Sequence, residues 1–258
     1  MFILPNWPAP AHIKSYATTR QGGVSQLPYD TFNLALHVGD NPHDVATNRQ
    51  RLTELAHLPS EPFWLDQQHT DHAIQLINFV PERGIKVGGG IPPLADASWT
   101  TKENLVSLVM TADCLPILIT NQSGTVVSAI HAGWKGLQKG IVSKTIAEFR
   151  GKEGCQPEQL MAWIGPAISV KHFEVGQDVL DAFVLRDIAN RDFFMPIEGK
   201  EGKYLADLPG IVTKELNGLG VSAVYGGDHC TYDDEQFFSY RRSGRTGRIA
   251  SFIWIEPL

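Results

Sequence analysis

One of the three cysteines in this 258-residue chain, Cys114, begins an apolar run in "TADCLPILITNQSGTVVSAIHAGWKG", and His131 closes the next apolar run. If the two runs are strands joined by a turn at 121–124, their far ends lie side by side, so a thiol and an imidazole share one end of a hairpin. Asp113 before the cysteine and Pro116 after it imply a kinked backbone. Small residues after His131, in "HAGWKG", leave room for a ligand or metal to approach the main chain.

A third group has to come from elsewhere. The stretch "WLDQQHTDHAIQL" offers His69 and His72 between apolar segments. One cysteine with two histidines is a donor set for a catalytic zinc whose fourth position stays open to water or substrate. The spacing matches no short zinc-finger pattern. The same residues also fit a metal-free pair in which His131 deprotonates Cys114 for nucleophilic attack. Each residue singly reads as a small core filler or a satisfied polar group; the linked strand-end positions are what favour a joint role.

Cationic residues gather near the C-terminus, where "FFSYRRSGRTGR" holds Arg241, Arg242, Arg245 and Arg248. Such clusters are usually solvated faces, but Arg241 and Arg242 follow a strand-like run at 237–240, and arginine suits bidentate phosphate recognition. In "ATTRQGGVS", Arg20 beside two glycines is a second place where an anion could meet side chain and backbone N–H together. "HAGWKG" lacks Walker-loop spacing. His12, His37, His43, His57 and His172 show no paired spacing and read as surface or core histidines.

The positioning elements follow from periodicity and turn chemistry. Strands are expected at 13–20, 105–110, 115–119, 125–130 and 160–164, in "VSAVYGG", and in "GRIASFIWIEPL". Helices are expected from Pro42, with Val45, Leu52, Leu55 and Ala56 on one face; over 137–149; over 178–188; and from an Asp207 N-cap to Gly218. A loop carries Gly88, Gly89 and Gly90. Strands and helices alternate without a βαβ rhythm, which points to a single mixed-sheet α+β domain over residues 1–258.

Hydrophobic residues at 43% and charged residues at 19% are ordinary for a globular chain, and a formal net charge of −6 disfavours general nucleic-acid binding. No apolar run reaches bilayer-spanning length. "MFILPNWPAP" has no basic start and meets proline early, unlike a signal peptide. An odd, sparse cysteine set makes no disulfide framework, so a reducing cytoplasm is the expected location.

In order along the chain, "TTRQGGVS", "FNLALHVGD", "QQH", "ADA", "TADCLPIL", "HAGWKGL", "IGPAI", "FEVG", "LADL", "CTY", "FFSYRR" and "TGR" resemble the family named variously for polyphenol oxidase (laccase-domain), purine nucleoside phosphorylase and peptidoglycan-editing activities. The resemblance implies stacked mixed β-sheets with helices outside, similar to the catalytic region of a bacterial Rho-deamidating toxin. It implies a zinc triad of His69, Cys114 and His131, leaving His72 outside. It also implies phosphorolysis of adenosine, inosine and 5′-methylthioadenosine, and hydrolytic deamination of adenosine by a metal-activated water. Arg20, Asn33, Arg241 and Arg242 are the polar pocket contacts it implies. Four residues depart from the family pattern: Ser98 and Trp99 after "DA", expected in a loop beside the pocket, Phe173 and Lys135.

With nine histidines, no His-x-His pair and four methionines, the chain does not supply a multicopper centre, although copper could enter the same Cys/His site. Two readings from other classes stand beside the phosphorylase: an amidase editing a cytoplasmic muramyl precursor of peptidoglycan, and a non-enzymatic binding module.

Overall fold

Strands that are apolar on both alternating faces need cover on both sides of their sheet. The computed structural model describes residues 1–77 and 92–258, so the glycines at 88–90 lie outside the described residues. In chain order the elements are β1 (Phe2–Ile3), β2 (Ile13–Thr18), α1 (Pro42–Leu55), β3 (Ala73–Gln75), β4 (Ala97–Thr100), β5 (Ser107–Thr111), β6 (Leu115–Asn121) and β7 (Val127–Ala132). There follow α2 (Trp134–Lys139), α3 (Ile141–Phe149), β8 (Leu160–Ile164), β9 (Glu174–Gly176), α4 (Gln177–Arg186), β10 (Phe194–Pro196) and β11 (Lys203–Ala206). The chain ends through α5 (Leu208–Gly218), β12 (Ala223–Gly226), α6 (Tyr240–Ser243) and β13 (Ile249–Ile255). Every residue of β5, β6, β7 and β13 is buried.

Two sheets stack face to face. One is antiparallel, in the order β1-β2-β13-β5. The other is mixed, in the order β12-β8-β6-β7-β4-β3, with parallel pairs at both edges. Ile13, Val109 and Ile253 of the first meet Leu118, Val127 and Ala129 of the second. The far face of the mixed sheet, through Ile117, Ile119 and Ile130, packs under Leu137, Ile146, Leu180 and Leu216 of the helices α2 to α5. The far face of the antiparallel sheet, through Leu108, Phe252 and Trp254, packs on Leu52 of α1 and on Phe32 and Leu34. The period of two sends Phe252 and Trp254 outward and Ile253 and Ile255 into the inter-sheet layer. The result is helix, sheet, sheet, helix, the mixed α+β architecture expected, with a small β10-β11-β9 sheet beside it. Among the described residues no helix is long and apolar enough to cross a membrane.

Four sequence expectations change. The helix over 137–149 is two helices, because Gly140 adopts φ +90° and ends α2 before α3 begins. In α1, Val45 and Leu52 point inward, as does Ala56 at its C-cap, but Leu55 is exposed, since the 3.6-residue period puts Asn48 in the buried stripe and Leu55 at its edge. The run at 237–240 is not a strand: Phe237 and Phe238 are buried in a loop, and Ser239 caps α6 by accepting the Arg242 N–H. Ser98 and Trp99 are not in a loop beside the pocket. They lie in β4, where Ser98 hydrogen-bonds Ser107 across the two sheets and Trp99 packs on Phe149.

Candidate metal centre

The β6–β7 hairpin is antiparallel and pairs Pro116 with His131, so Cys114 at the entry to β6 and His131 at the exit of β7 stand together. The kink before β6 is real. Asp113 has φ +91°, and its carboxylate accepts the Thr231 hydroxyl at 2.7 Å and the Arg241 backbone N–H at 2.6 Å. Both Asp113 carboxylate oxygens are therefore taken up by donors from the C-terminal loops.

The third group arrives on the segment before β3. His69 also has positive φ, +56°, and one buried carboxylate holds its turn. Asp96 Oδ1 accepts the His69 N–H at 3.1 Å, while Oδ2 accepts the Thr70 N–H at 2.6 Å and the Thr70 hydroxyl at 2.7 Å. The same Oδ1 lies 2.7 Å from His131 Nδ1, and the His131 N–H donates to the Asp96 carbonyl at 2.7 Å. A carboxylate paired with Nδ1 keeps a proton there and leaves Nε2 as the nitrogen that a metal would take, with release of its own proton. Gln67 fixes the segment from the other end, pairing its side-chain amide with both backbone groups of Met110.

His69 Nε2 lies 3.6 Å from Cys114 Sγ, the two imidazoles meet edge to face with centroids 4.8 Å apart, and the three donor atoms all lie within 4.8 Å of one another. A tetrahedral zinc with bonds of about 2.0–2.3 Å separates its ligands by roughly 3.5 Å, so the triad fits one ion. Gly133 makes the approach possible: a Cβ there would overlap His69 Cδ2 and sit 2.8 Å from Nε2 and 3.0 Å from Cys114 Sγ. His72 is exposed and outside the group.

Burial opposes the Cys114 thiolate, yet the facing His131 charge and hydrogen bonds from both imidazoles outweigh it and bring the thiol down to about 6. Burial likewise opposes the His131 imidazolium, and Cys114 and Asp96 together raise it to about 9. The thiolate is thus available at neutral pH, as a ligand must be.

A cavity of about 290 Å³ opens over the triad, its wall including His37, Gln67, Phe173, Arg241 and Arg248. That is at the lower end of small-molecule pockets, roughly 300–1,000 Å³. Arg241 hangs by Nη1 from the His172 and Glu174 carbonyls, and Arg248 by Nη1 from the Thr246 and Gly247 carbonyls. Both guanidinium planes are fixed, and the hydrogen bonds found for them use one nitrogen each. His37 is held below its ordinary pKa by burial and by Arg248.

The other expected pocket contacts sit elsewhere. Arg20 binds the Asp30 carbonyl and carboxylate, each at 2.9 Å, beside the Phe238 ring, and lines a separate depression. Arg242 spends its guanidinium on the Thr231, Tyr232 and Phe237 carbonyls. Asn33 is fully buried and reaches the cavity only through the Arg248 backbone N–H, which it accepts at 2.9 Å. Asp96, His37 and Gln67 are not among the residues expected at the site, although Asp96 had a signal, a lone carboxylate between small residues in "ADA" beside a strand. Of the departures from the family pattern, Phe173 lines the cavity under Arg241, with Cζ 5.2 Å from the ring centroid, and Lys135 lies over Trp134.

The fold is a pair of stacked sheets between helices, with a Cys–His–His donor set that could hold a metal ion at a hairpin's end. The chain belongs to the family described as multi-copper polyphenol oxidoreductase laccase, whose model matches residues 14–256. It is 48% identical to a Haemophilus influenzae protein named purine nucleoside phosphorylase, over 98% of this chain and 99% of that one. It is 43% identical to the Escherichia coli K12 purine nucleoside phosphorylase YfiH, over 98% of each chain. The crystal structure of Neisseria meningitidis protein NMB0706 superposes with a TM-score of 0.89 at 44% identity and 99% coverage of both chains, and that of YlmD from Geobacillus stearothermophilus with 0.87 at 28%, covering 99% and 96%. The fold expected from the sequence resemblance is the fold these relatives share.

Proposed function

We propose that the protein is a zinc-dependent purine nucleoside phosphorylase that accepts adenosine, inosine and 5′-methylthioadenosine and also deaminates adenosine by hydrolysis. The observation that carries this is the convergence of His69, Cys114 and His131 at the floor of a cavity walled by Arg241 and Arg248. Relatives named purine nucleoside phosphorylase support the substrate class. A thiolate with two imidazoles suits zinc, and copper would compete for the same donors. Zinc held there supplies positive charge and a Lewis-acidic open coordination position.

The chain's own residues supply the rest. Asp96 keeps both histidines in register, so the donor atoms need no rearrangement. Arg241 and Arg248, fixed through their backbone carbonyl contacts, present N–H groups to a phosphate dianion and hold it against the sugar. Phosphorolysis forms a bond from a phosphate oxygen to C1′ as the C1′–N9 bond breaks, the electron pair leaving with the purine. His37, whose imidazole is neutral near pH 7 because burial and Arg248 disfavour its charge, lies in the cavity wall as a neutral hydrogen-bonding partner for the base.

A second reading has its own observation: the lowered Cys114 thiol and raised His131 form a thiolate–imidazolium pair, as a nucleophilic hydrolase requires. Chelation separates the two. The purified protein is assayed with adenosine and phosphate before and after stripping of its metal and after readdition of zinc. Adenine and ribose 1-phosphate that vanish on stripping and return with zinc support the phosphorylase. Activity undiminished in the stripped protein overturns the metal role, and no turnover of any purine nucleoside in the zinc-loaded protein overturns the substrate class.

A further inference from the structure

A second set of soft and hard donors lies outside the cavity floor. We infer that His172, Cys230 and Asp233 form another site for a divalent cation of the zinc class. Their donor atoms lie within 4.8 Å of one another, and His172 Nε2 is 2.6 Å from Asp233 Oδ1. Imidazole, thiolate and carboxylate are all zinc ligands, and two of the three carry negative charge when bound.

The site is built, not a chance meeting of flexible side chains. The His172 ring stacks on Tyr232 at 4.3 Å and 15°, which fixes its plane. Cys230 forms a β-bridge with Ala167, and its sulfur accepts the Ser169 N–H at 3.4 Å, which holds it in place. The His172 N–H donates to the Ser169 carbonyl within its own loop, and Ala167 pairs with the other loop by accepting the Thr231 N–H at 2.9 Å and donating to the His229 carbonyl at 3.2 Å, so the loop carrying the imidazole is tied to the loop carrying the sulfur. Ser169 also buries a hydroxyl that has no partner among the described residues, an open acceptor and donor on the residue that touches the sulfur. The side chains of His172 and Asp233 are 27% and 52% exposed, which leaves a path for an ion to enter.

A cation here would clamp two loops that hold the wall of the neighbouring cavity. His172 lends its carbonyl to Arg241 and adjoins Phe173, and Thr231, next to Cys230, holds Asp113. None of this depends on which reaction the cavity performs.

The test is metal content and cobalt spectroscopy of the full chain. Zinc titration followed by desalting and elemental analysis is expected to give about two equivalents in the parent protein and about one in Cys230→Ser, Asp233→Ala and Cys114→Ala. Cobalt(II) added to Cys114→Ala is expected to show sulfur-to-cobalt absorption in the near ultraviolet that is lost when Cys230→Ser is added. Asp233 is exposed, so Asp233→Ala folds and keeps the test valid if a cysteine variant does not. One equivalent in the parent protein, or two that survive Asp233→Ala and Cys230→Ser, overturns the site.

Discussion

One buried carboxylate, Asp96, touches both histidines of the candidate centre. Asp96 fixes His69 through its N–H and His131 through Nδ1, so Asp96→Asn is expected to weaken zinc binding about 10–100-fold. Competition against a chromophoric chelator measures this, and unchanged affinity would refute the role. Burial raises the Asp96 carboxyl, but hydrogen bonds from His131 and Thr70 outweigh it and hold it below its ordinary value. A depressed folded-state pKa stabilises the fold above the unfolded pKa, and that stability is lost as the pH falls through the folded value. The stability gap between the metal-free parent and Asp96→Asn is therefore expected to be full near neutrality and to close in acid, below about 4. Denaturant melts across pH measure it; a gap that widens in acid contradicts the assignment. With zinc removed, alkylation of Cys114 by iodoacetamide should rise through a midpoint of about 6 and slow when zinc is restored; a midpoint near that of an ordinary thiol would contradict the ion pair. At this scale the sequence was readable where partners were joined by a short turn. Cys114 and His131 were legible from two apolar runs, whereas Asp96 and His37 meet the site through long-range contacts that leave no spacing. The choice of His69 over His72 came from the family pattern, since both suit the chemistry and only a positive-φ turn separates them.

Elements place these residues through a few tight approaches. Gly133 opens α2 directly against His69 and Cys114, so Gly133→Ala is expected to lower zinc occupancy while the far-ultraviolet circular dichroism stays that of the parent; full occupancy would show that the neighbours yield. In α1 the buried Asn48 donates to Ser25, Thr31 and Asn33 and accepts from Val24, stapling the loop before Asn33 to the helix. Asn48→Ala leaves several of these groups unpaired and is expected to cost about 1–3 kcal/mol in a urea melt. Strand existence was legible because β5, β6, β7 and β13 are apolar on both faces. The break at Gly140 was not, because a glycine inside a helical pattern costs only about 1 kcal/mol and is tolerated. The run at 237–240 looked like a strand because its aromatics are buried, but a loop against the sheet edge buries them equally well.

At the scale of the molecule, the stack of helix, sheet, sheet and helix brings a hairpin end, the loop before β3 and the C-terminal loops to one cavity. Mixed sheets were legible from the irregular alternation of elements, but strand order was not, because β13 inserts between β2 and β5 from the far end of the chain. Phe252 in that strand is fully buried between Tyr16 and Trp254, and Phe252→Ala is expected to cost about 3–5 kcal/mol. The proposed centre is one ion shared by three side chains from three parts of the sequence, and anomalous diffraction at the zinc edge tests it most directly. A peak about 2.0–2.3 Å from Cys114 Sγ, His69 Nε2 and His131 Nε2 is the predicted result. Crystals of protein that turns over adenosine and phosphate yet shows no peak between those atoms would contradict it.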